Sequence, residues 1–290
     1  MTPENVESVK THFELHPTTS TRRAAPQLAI SRTSVRRILK DKLNIFPYKI
    51  QVQQPLTKMN IEKRFEFANH VLALMGTNQL DLKHIHFTDE CYFHLDGYVN
   101  KQTYRFWGTE NPHLAVIRGL HPQKVSVWAA ISWHGIIGPY FLTKYVDEFV
   151  YREEILEKFI EEAGQKMMIN NFWFEQDGAT AHRTEDNFFL ISSAFYPRII
   201  GLDSPRKTGG GLEWPPSSPD LNVCDFFLWG YLKDRVYRTN PKTIDELKER
   251  IVEEFEGISH DIRHRAIEAF QTRLHHVVSV NGSHFENIVH

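Results

Sequence analysis

The chain has 290 residues, 41% hydrophobic and 24% charged, with a formal net charge of −2. This excludes wholesale disorder and a collagen-like or low-complexity chain, and it leaves material for a buried core in about two domains. Two cysteines, Cys91 and Cys224, exclude a disulfide framework and a four-cysteine zinc site, as expected in a reducing compartment without structural metal.

The opening residues predict no secretory leader. Residues 20–60 then hold nine basic residues and one acidic residue, a local balance of +8 against −10 for everything else. Such a segment is either a solvated helix face or a polyanion-binding surface. Its pattern predicts a short helix over Thr21 to Leu28, a turn at Ala29-Ile30, and a second helix capped by Ser31 and running to about Leu43. Val35, Ile38 and Leu39 give the second helix an apolar stripe. Arg32, Thr33, Ser34, Arg36, Arg37 and Lys40 occupy the rest of its surface, where a helix lying in a major groove would meet DNA. Pro26 suits only the first turn of a helix. Ala29 stands where glycine usually supplies a positive φ, a strain of roughly 1 kcal/mol.

Asn44 to Thr57 reads as an extended linker, and Lys58 to Met75 as a docking helix with Ile61, Phe65, Phe67, Ala68, Val71 and Leu72 on its apolar face. The rest reads as mixed α/β. A short strand over His84 to Phe87 ends in Thr88-Asp89-Glu90. Tyr92 to Leu95 and Tyr98 to Trp107 form a hairpin around Asp96-Gly97. Val125 to Thr143 has 19 residues without Lys, Arg, Asp or Glu, but its glycines and Pro139 break a membrane-spanning helix. It reads as two buried strands joined at Trp133-His134-Gly135. A helix over Asp147 to Ala163 turns Phe149, Ile155, Phe159 and Ile160 inward. Strands follow over Phe172 to Glu175, ending in Gln176-Asp177-Gly178, and over Arg198 to Gly201, the last. Helices over Leu221 to Val236, Thr243 to Glu256 and Asp261 to Val278 close the chain, with Asp225 in the first turn of the earliest.

Strand ends of an α/β sheet gather ligand sites. If the two strands are neighbours and the helix crosses them, Asp89, Asp177 and Asp225 converge. Three carboxylates in one pocket repel unless cations neutralise them, and hard oxygen donors suit Mg²⁺ or Mn²⁺. Two such ions activate a water or a 3′-hydroxyl and stabilise the leaving oxygen of a phosphodiester. The plainer alternative is that each aspartate caps a helix or turn. Asp220, just before a helix, reads as such a cap.

Phe87-Thr88-Asp89-Glu90, the run from Trp173 through Gln176-Asp177-Gly178 to His182, and the run from Trp214 through Ser218-Pro219-Asp220-Leu221 to Lys233 resemble signature segments of mariner-type transposases. The resemblance covers nearly the whole chain. It implies a ribonuclease-H-like catalytic domain preceded by a small all-α helix-turn-helix domain. The implied boundaries are 1–45 for the helix-turn-helix, 46–76 for linker and docking helix, 77–240 for the catalytic domain and 241–290 for C-terminal helices packed on it. Asp89, Asp177 and Asp225 match the family's three catalytic, metal-holding acids, with two Mg²⁺ or Mn²⁺ ions. The implied chemistry is strand cleavage at transposon ends, then attack of the freed 3′-hydroxyl on target DNA. The implied partners are transposon inverted repeats, target DNA and a second copy of the chain, in the nucleus. A catalytically silent DNA-binding protein and a nuclease or integrase of the same fold are the alternatives.

By this resemblance the sequence is expected to start after the first of two helix-turn-helix units. It also places 47 residues between Asp177 and Asp225, the extra length falling in a flexible loop over Leu202 to Leu212. His182 either orients a phosphate or water near the metals or is a capping or surface histidine. Glu90 and Asp96 are expected in solvent, and Cys91 and Cys224 as small packing residues. Trp214 is expected to wedge its loop rather than stack on a base. His264, His275 and His276 show no ligand spacing.

Overall fold

The computed structural model describes residues 2–17, 19–46, 55–95, 123–142 and 144–285. The chain divides into two compact units, Met1–Gln53 and Gln54–His290.

The smaller unit holds three helices. α1 (Pro3–Leu15) is capped by the Thr2 side chain, α2 (Thr21–Gln27) by Ser20 and α3 (Arg32–Arg37) by Ser31. α3 runs on as a π-helical turn over Ile38–Lys42. Val9, Ala25, Val35, Ile38 and Leu39 are buried together, with Val6, Phe13, Leu28, Ile30 and Leu43 packed against them. α1 was not expected from the sequence, although Val6, Val9 and Phe13 repeat at helical spacing. Pro26 lies in the last turn of α2, not the first, and the helix ends one residue later. Ala29 does adopt a left-handed conformation, φ 50°.

The larger unit is built on a six-stranded sheet of order β3-β2-β1-β4-β5-β6. The strands are β1 (Ile85–His94), β2 (Lys124–Ile131), β3 (Ile136–Leu142), β4 (Trp173–Glu175), β5 (Ile199–Gly201) and β6 (Leu212–Glu213). β1, β2 and β3 form an antiparallel meander, while β4, β5 and β6 continue the sheet in parallel. Alternation along the strands divides the core. Phe87, Phe93, Val127, Ala129 and Ile131 face one cluster with α4 (Lys58–Gly76), α9 (Trp229–Val236), α10 (Ile244–Glu256) and α11 (His260–Ser279). Trp128 and Ala130 face a second cluster. Its helices are the continuous run of α5 (Glu148–Val150), a π-helical turn (Tyr151–Leu156) and α6 (Glu157–Gln165), and α7 (Glu185–Phe195). No helix among the described residues is long and apolar enough to cross a membrane.

Several expectations change. β1 does not end at Phe87. It runs ten residues and carries Asp89 mid-strand, because β2 pairs with it from Phe87 to His94 while β4 accompanies it only over Ile85 to Phe87. Phe149 is 54% exposed rather than inward, and the fully buried aromatic of that turn is Tyr151. Leu202 to Leu212 is no featureless loop. It holds α8 (Ser204–Thr208) and leads into β6, so Arg198 to Gly201 is not the last strand. α7, capped by Thr184, is a further helix beyond those expected. The expected turn at Asp96-Gly97, the strand at Tyr98 to Trp107 and most of the linker lie outside the described residues.

Asp220 is not a cap. It is buried, and Arg64 of α4, with no exposed surface, donates to both its oxygens at 2.6 Å. The same guanidinium donates to Ser218 Oγ at 2.9 Å and to the Gly282 carbonyl at 2.9 Å. One side chain thus ties α4, the loop before Asp225 and the chain after α11. Gly282 is required there: its φ is +84°, and a Cβ would sit 2.0 Å from the Ile61 carbonyl oxygen.

Candidate active site

Strand alternation sends Asp89 and Glu90 to opposite faces of β1, just beyond the point where β4 stops. Asp89 faces α9. The Trp229 indole N–H donates to Asp89 Oδ2 at 2.7 Å. Asn222 braces the same junction: its amide donates to the Thr88 carbonyl at 2.9 Å, and its side-chain oxygen accepts from the Cys224 N–H at 2.8 Å. Asp225 follows in a π-helical turn, Cys224–Leu228, that runs into α9. π-Turns of this kind recur at functional sites.

Asp177 lies two residues past β4, where its Oδ1 accepts from the Ala179 N–H at 2.9 Å. The same oxygen is 2.7 Å from His182 Nδ1. His182 is buried, so neither a surface nor a capping role describes it. Its Nε2 lies 3.2 Å from Glu90 Oε1, and its ring stacks on Tyr151 at 4.0 Å. Gln176 holds the pair, accepting from the Tyr151 hydroxyl and donating to the His182 carbonyl. Glu90 is therefore a partner of His182, mostly sheltered, and not the solvent residue expected.

The charges show which groups share the ground. Burial pushes the Asp89 carboxyl well above its ordinary value, and Asp225, Glu90 and Asp177 add to the push, while the Trp229 bond opposes it. Desolvation and the Asp177 charge lift Asp225 to about 6, against a downward pull from Lys233. Asp177 goes the other way. Burial raises it, but the His182 imidazole and the Ala179 N–H more than offset this and hold it low. Burial likewise pulls His182 down, but Glu90 and Asp177 outweigh it and bring the imidazole to about 10, so it is a cation at neutral pH.

Asp89, Asp177 and Asp225 therefore feel one another across 88 and 48 residues of chain. Their chemistry fits a hard divalent cation: carboxylate oxygens in mutual repulsion, partly shielded from water. They are not drawn into a finished cluster. Among the described residues no three His, Cys, Asp or Glu side chains form a ligating group. Asp89 Oδ2 and Asp177 Oδ1 are engaged by protein donors.

Elsewhere, Arg32, Thr33, Arg36, Arg37 and Lys40 are exposed on α3 and the turn after it. Ser34 is half-buried and bonded to Ser31 Oγ. Trp214 is buried against Phe67, edge to face at 5.5 Å, as a wedge. Cys224 packs inside, its thiol donating to the Phe87 carbonyl. His264 lies flat on Trp133 at 3.6 Å. Tyr151, Asn222 and Trp229 are the site residues the sequence did not single out, and Glu90 is the one it gives to solvent. The polar residues next to Asp89 and the Trp four positions after Asp225 were the available signals.

A six-stranded β3-β2-β1-β4-β5-β6 sheet with helices on both faces and acidic residues near its centre is a ribonuclease-H-like fold. The particular likeness is to Mos1 transposase. The Mos1 paired-end complex with left transposon end superposes with a TM-score of 0.71 at 18% identity, covering 99% of this chain and 82% of that one. The Mos1 strand transfer complex matches at 0.69 and 17% identity, covering 99% and 81%. The Mos1 catalytic domain with raltegravir and Mn matches at 0.58 and 16% identity, covering 80% of this chain and all of that one. Mos1 paired-end complexes with Mn and with Mg are also similar. No protein-family model and no curated protein matches the chain.

Proposed function

We propose that the chain is a mariner-type DNA transposase, cutting DNA at transposon ends and joining the freed 3′-hydroxyl to target DNA. The observation that carries this reading is the mutual charge coupling of Asp89, Asp177 and Asp225 in a fold shared with Mos1. These three carboxylates would hold the divalent cations, two in the full reading. Bound there, Mg²⁺ or Mn²⁺ would supply Lewis-acid activation of the attacking oxygen and stabilise the leaving one. The protein's own part is to orient. His182, pinned by Glu90, Tyr151 and Gln176, holds one oxygen of Asp177, and Trp229 holds one oxygen of Asp89. No nucleophilic side chain is needed, because water and the DNA 3′-hydroxyl attack directly.

DNA is the partner in this reading: inverted repeats, met by Arg32, Thr33, Ser34, Arg36, Arg37 and Lys40, and target DNA. Pairing of two ends by a homodimer and residence in the nucleus belong to the same proposal. Strand-cleavage assays with Mg²⁺ or Mn²⁺ test it. Asp89→Ala, Asp177→Ala and Asp225→Ala should each lower cleavage by at least about 10³-fold while leaving DNA retention in place. Undiminished metal-dependent nicking by all three variants would remove the assignment. Salt-sensitive DNA retention by the unaltered chain with no cleavage of any end sequence would favour the silent DNA-binding alternative.

A further inference from the structure

The approach to β1 and the turn between β2 and β3 bring two imidazoles together. His84 ends the 3₁₀ turn Leu82–His84, five residues before Asp89 and roughly 15 Å from it along the strand. His134 stands in the turn after β2, where the Gly135 carbonyl accepts from both the N–H and the hydroxyl of Ser132. The two rings lie 5.2 Å apart, centre to centre, and 35° from parallel. Both also make T-shaped contact with one phenyl ring, Phe172, at 4.9 and 5.4 Å. Asp81 fixes His84 further. Its Oδ2 lies 3.0 Å from His84 Nδ1, and its Oδ1 accepts from the Lys83 N–H at 2.9 Å. A neutral His84 donates its Nδ1 proton to that carboxylate and keeps the Nε2 lone pair. Desolvation of the packed part of the His134 ring, and then the His84 charge, pull His134 below its ordinary value. Asp81 opposes this, while Arg263 and His264 add to it, so His134 too is uncharged at neutral pH.

We propose that His84 and His134 form a second metal site, for a borderline-soft transition-metal cation such as Zn²⁺, with Asp81 orienting His84 from behind. Two imidazoles bonded at about 2.0–2.1 Å to one tetrahedral ion have ring centres roughly 5 Å apart, the spacing of this pair. Nitrogen donors select such an ion over Mg²⁺, which takes oxygen. A histidine ligand whose other nitrogen meets a carboxylate is the usual arrangement around zinc. Two protein ligands leave the remaining positions to water. The ion clips the β2–β3 turn to the start of β1, so it binds the folded chain and stabilises it by mass action. The site is independent of the aspartates in the proposed catalytic pocket.

Calorimetric titration of the full chain with Zn²⁺ under saturating Mg²⁺, and thermal melting in the same buffers, test the site. His84→Gln and His134→Gln should each weaken the Zn²⁺ step by at least about tenfold and remove the rise in melting temperature that Zn²⁺ brings. Asp81→Asn should weaken the step about tenfold, the usual consequence of losing a carboxylate behind a ligand. His275→Gln, exposed on α11, should leave both readouts unchanged. Unaltered Zn²⁺ binding and melting in both His84→Gln and His134→Gln would overturn the site. A loss in one of the two alone would overturn the pairing, and an unaltered Zn²⁺ step in Asp81→Asn would overturn the orienting role. Should His84→Gln fail to fold, His134→Gln and the imidazole ¹⁵N resonances of the unaltered chain decide. Two imidazoles should shift together on adding Zn²⁺, and neither should do so in His134→Gln. The absence of such a pair would sink the idea.

Discussion

Asp220 meets a fully buried guanidinium along both its oxygens, whereas Asp89 meets an uncharged indole and feels the charge of three other carboxylates. The two acids lie in the same unit: Asp220 comes two residues before Asn222, and Asn222 bonds the strand that carries Asp89. Arg64 gives Asp220 a bidentate partner, and Ser218 and the Gly282 carbonyl take up two of the three remaining donors. Around Asp89, the positive groups acting on the pocket are His182, held by Asp177 and Glu90, Arg183, which acts on Asp177, and Lys233, which acts on Asp225. A buried acid that serves structure is neutralised where it stands. An acidic pocket left in repulsion has surplus negative charge for something to neutralise, which is why Asp220 is read as a strut and Asp89 as a ligand.

The largest effect expected from breaking this contrast lies at the strut. Arg64→Met leaves Asp220 buried without its cation, and should cost about 3–5 kcal/mol. Urea unfolding should show a lower midpoint with an unchanged slope. Adding Asp220→Leu should restore a substantial part of the loss, since an apolar pair can replace a buried ion pair. A double variant no better than the single one would mean that Arg64 acts chiefly through Gly282 and Ser218.

Much of this was visible in the residues. The strand pair over Val125 to Leu142 and the capped helices follow from periodicity and Ser or Thr caps. What was lost depended on neighbours far away in sequence. Arg64 on an amphipathic helix looks like a solvated charge until Asp220, 156 residues on, is placed against it. Thr88-Asp89-Glu90 looks like a strand end because polar residues cluster there. They in fact mark where β4 stops while β1 continues along β2. Glu90 looks exposed until alternation turns it toward His182. α7 is legible locally, since Phe188, Ile191 and Phe195 repeat at helical spacing.

Two histidines sharpen the comparison. His182, between Glu90 and Asp177, is brought to about 10. His86 is equally buried but meets no carboxylate: its Nε2 bonds the Met168 carbonyl at 2.8 Å and its ring stacks on Phe172. Burial, with the charges of His134 and His84, pulls it down to about 4. The unfolded chain takes up this proton near pH 6.5 and the folded chain only near 4. Stability is therefore full above pH 6.5 and is lost as pH falls toward 4, by about 3 kcal/mol from this group. His86→Phe should flatten that acid limb in unfolding measurements at pH 7 and pH 4.5. An unchanged limb would place the acid sensitivity elsewhere.

The smallest effect belongs to the pocket itself. Asp225 is raised to about 6 by desolvation and Asp177. A raised carboxyl favours the folded state when protonated, so its contribution is present below about pH 3.8 and lost as pH rises through 6. At pH 7 without divalent cation, Asp225→Asn should stabilise the chain, by less than about 1 kcal/mol because water screens this exposed group. The gain should shrink as pH falls toward 4. Mg²⁺ should reverse the order, since a cation bound only to the folded, acidic pocket stabilises the unaltered chain by mass action and finds one ligand fewer in the variant. Thermal melting at pH 7 and pH 4.5, with and without Mg²⁺, reads all of these shifts. If the metal-free variant melts below the unaltered chain at pH 7, Asp225 is not under repulsion, and the contrast between the neutralised strut and the charged pocket fails.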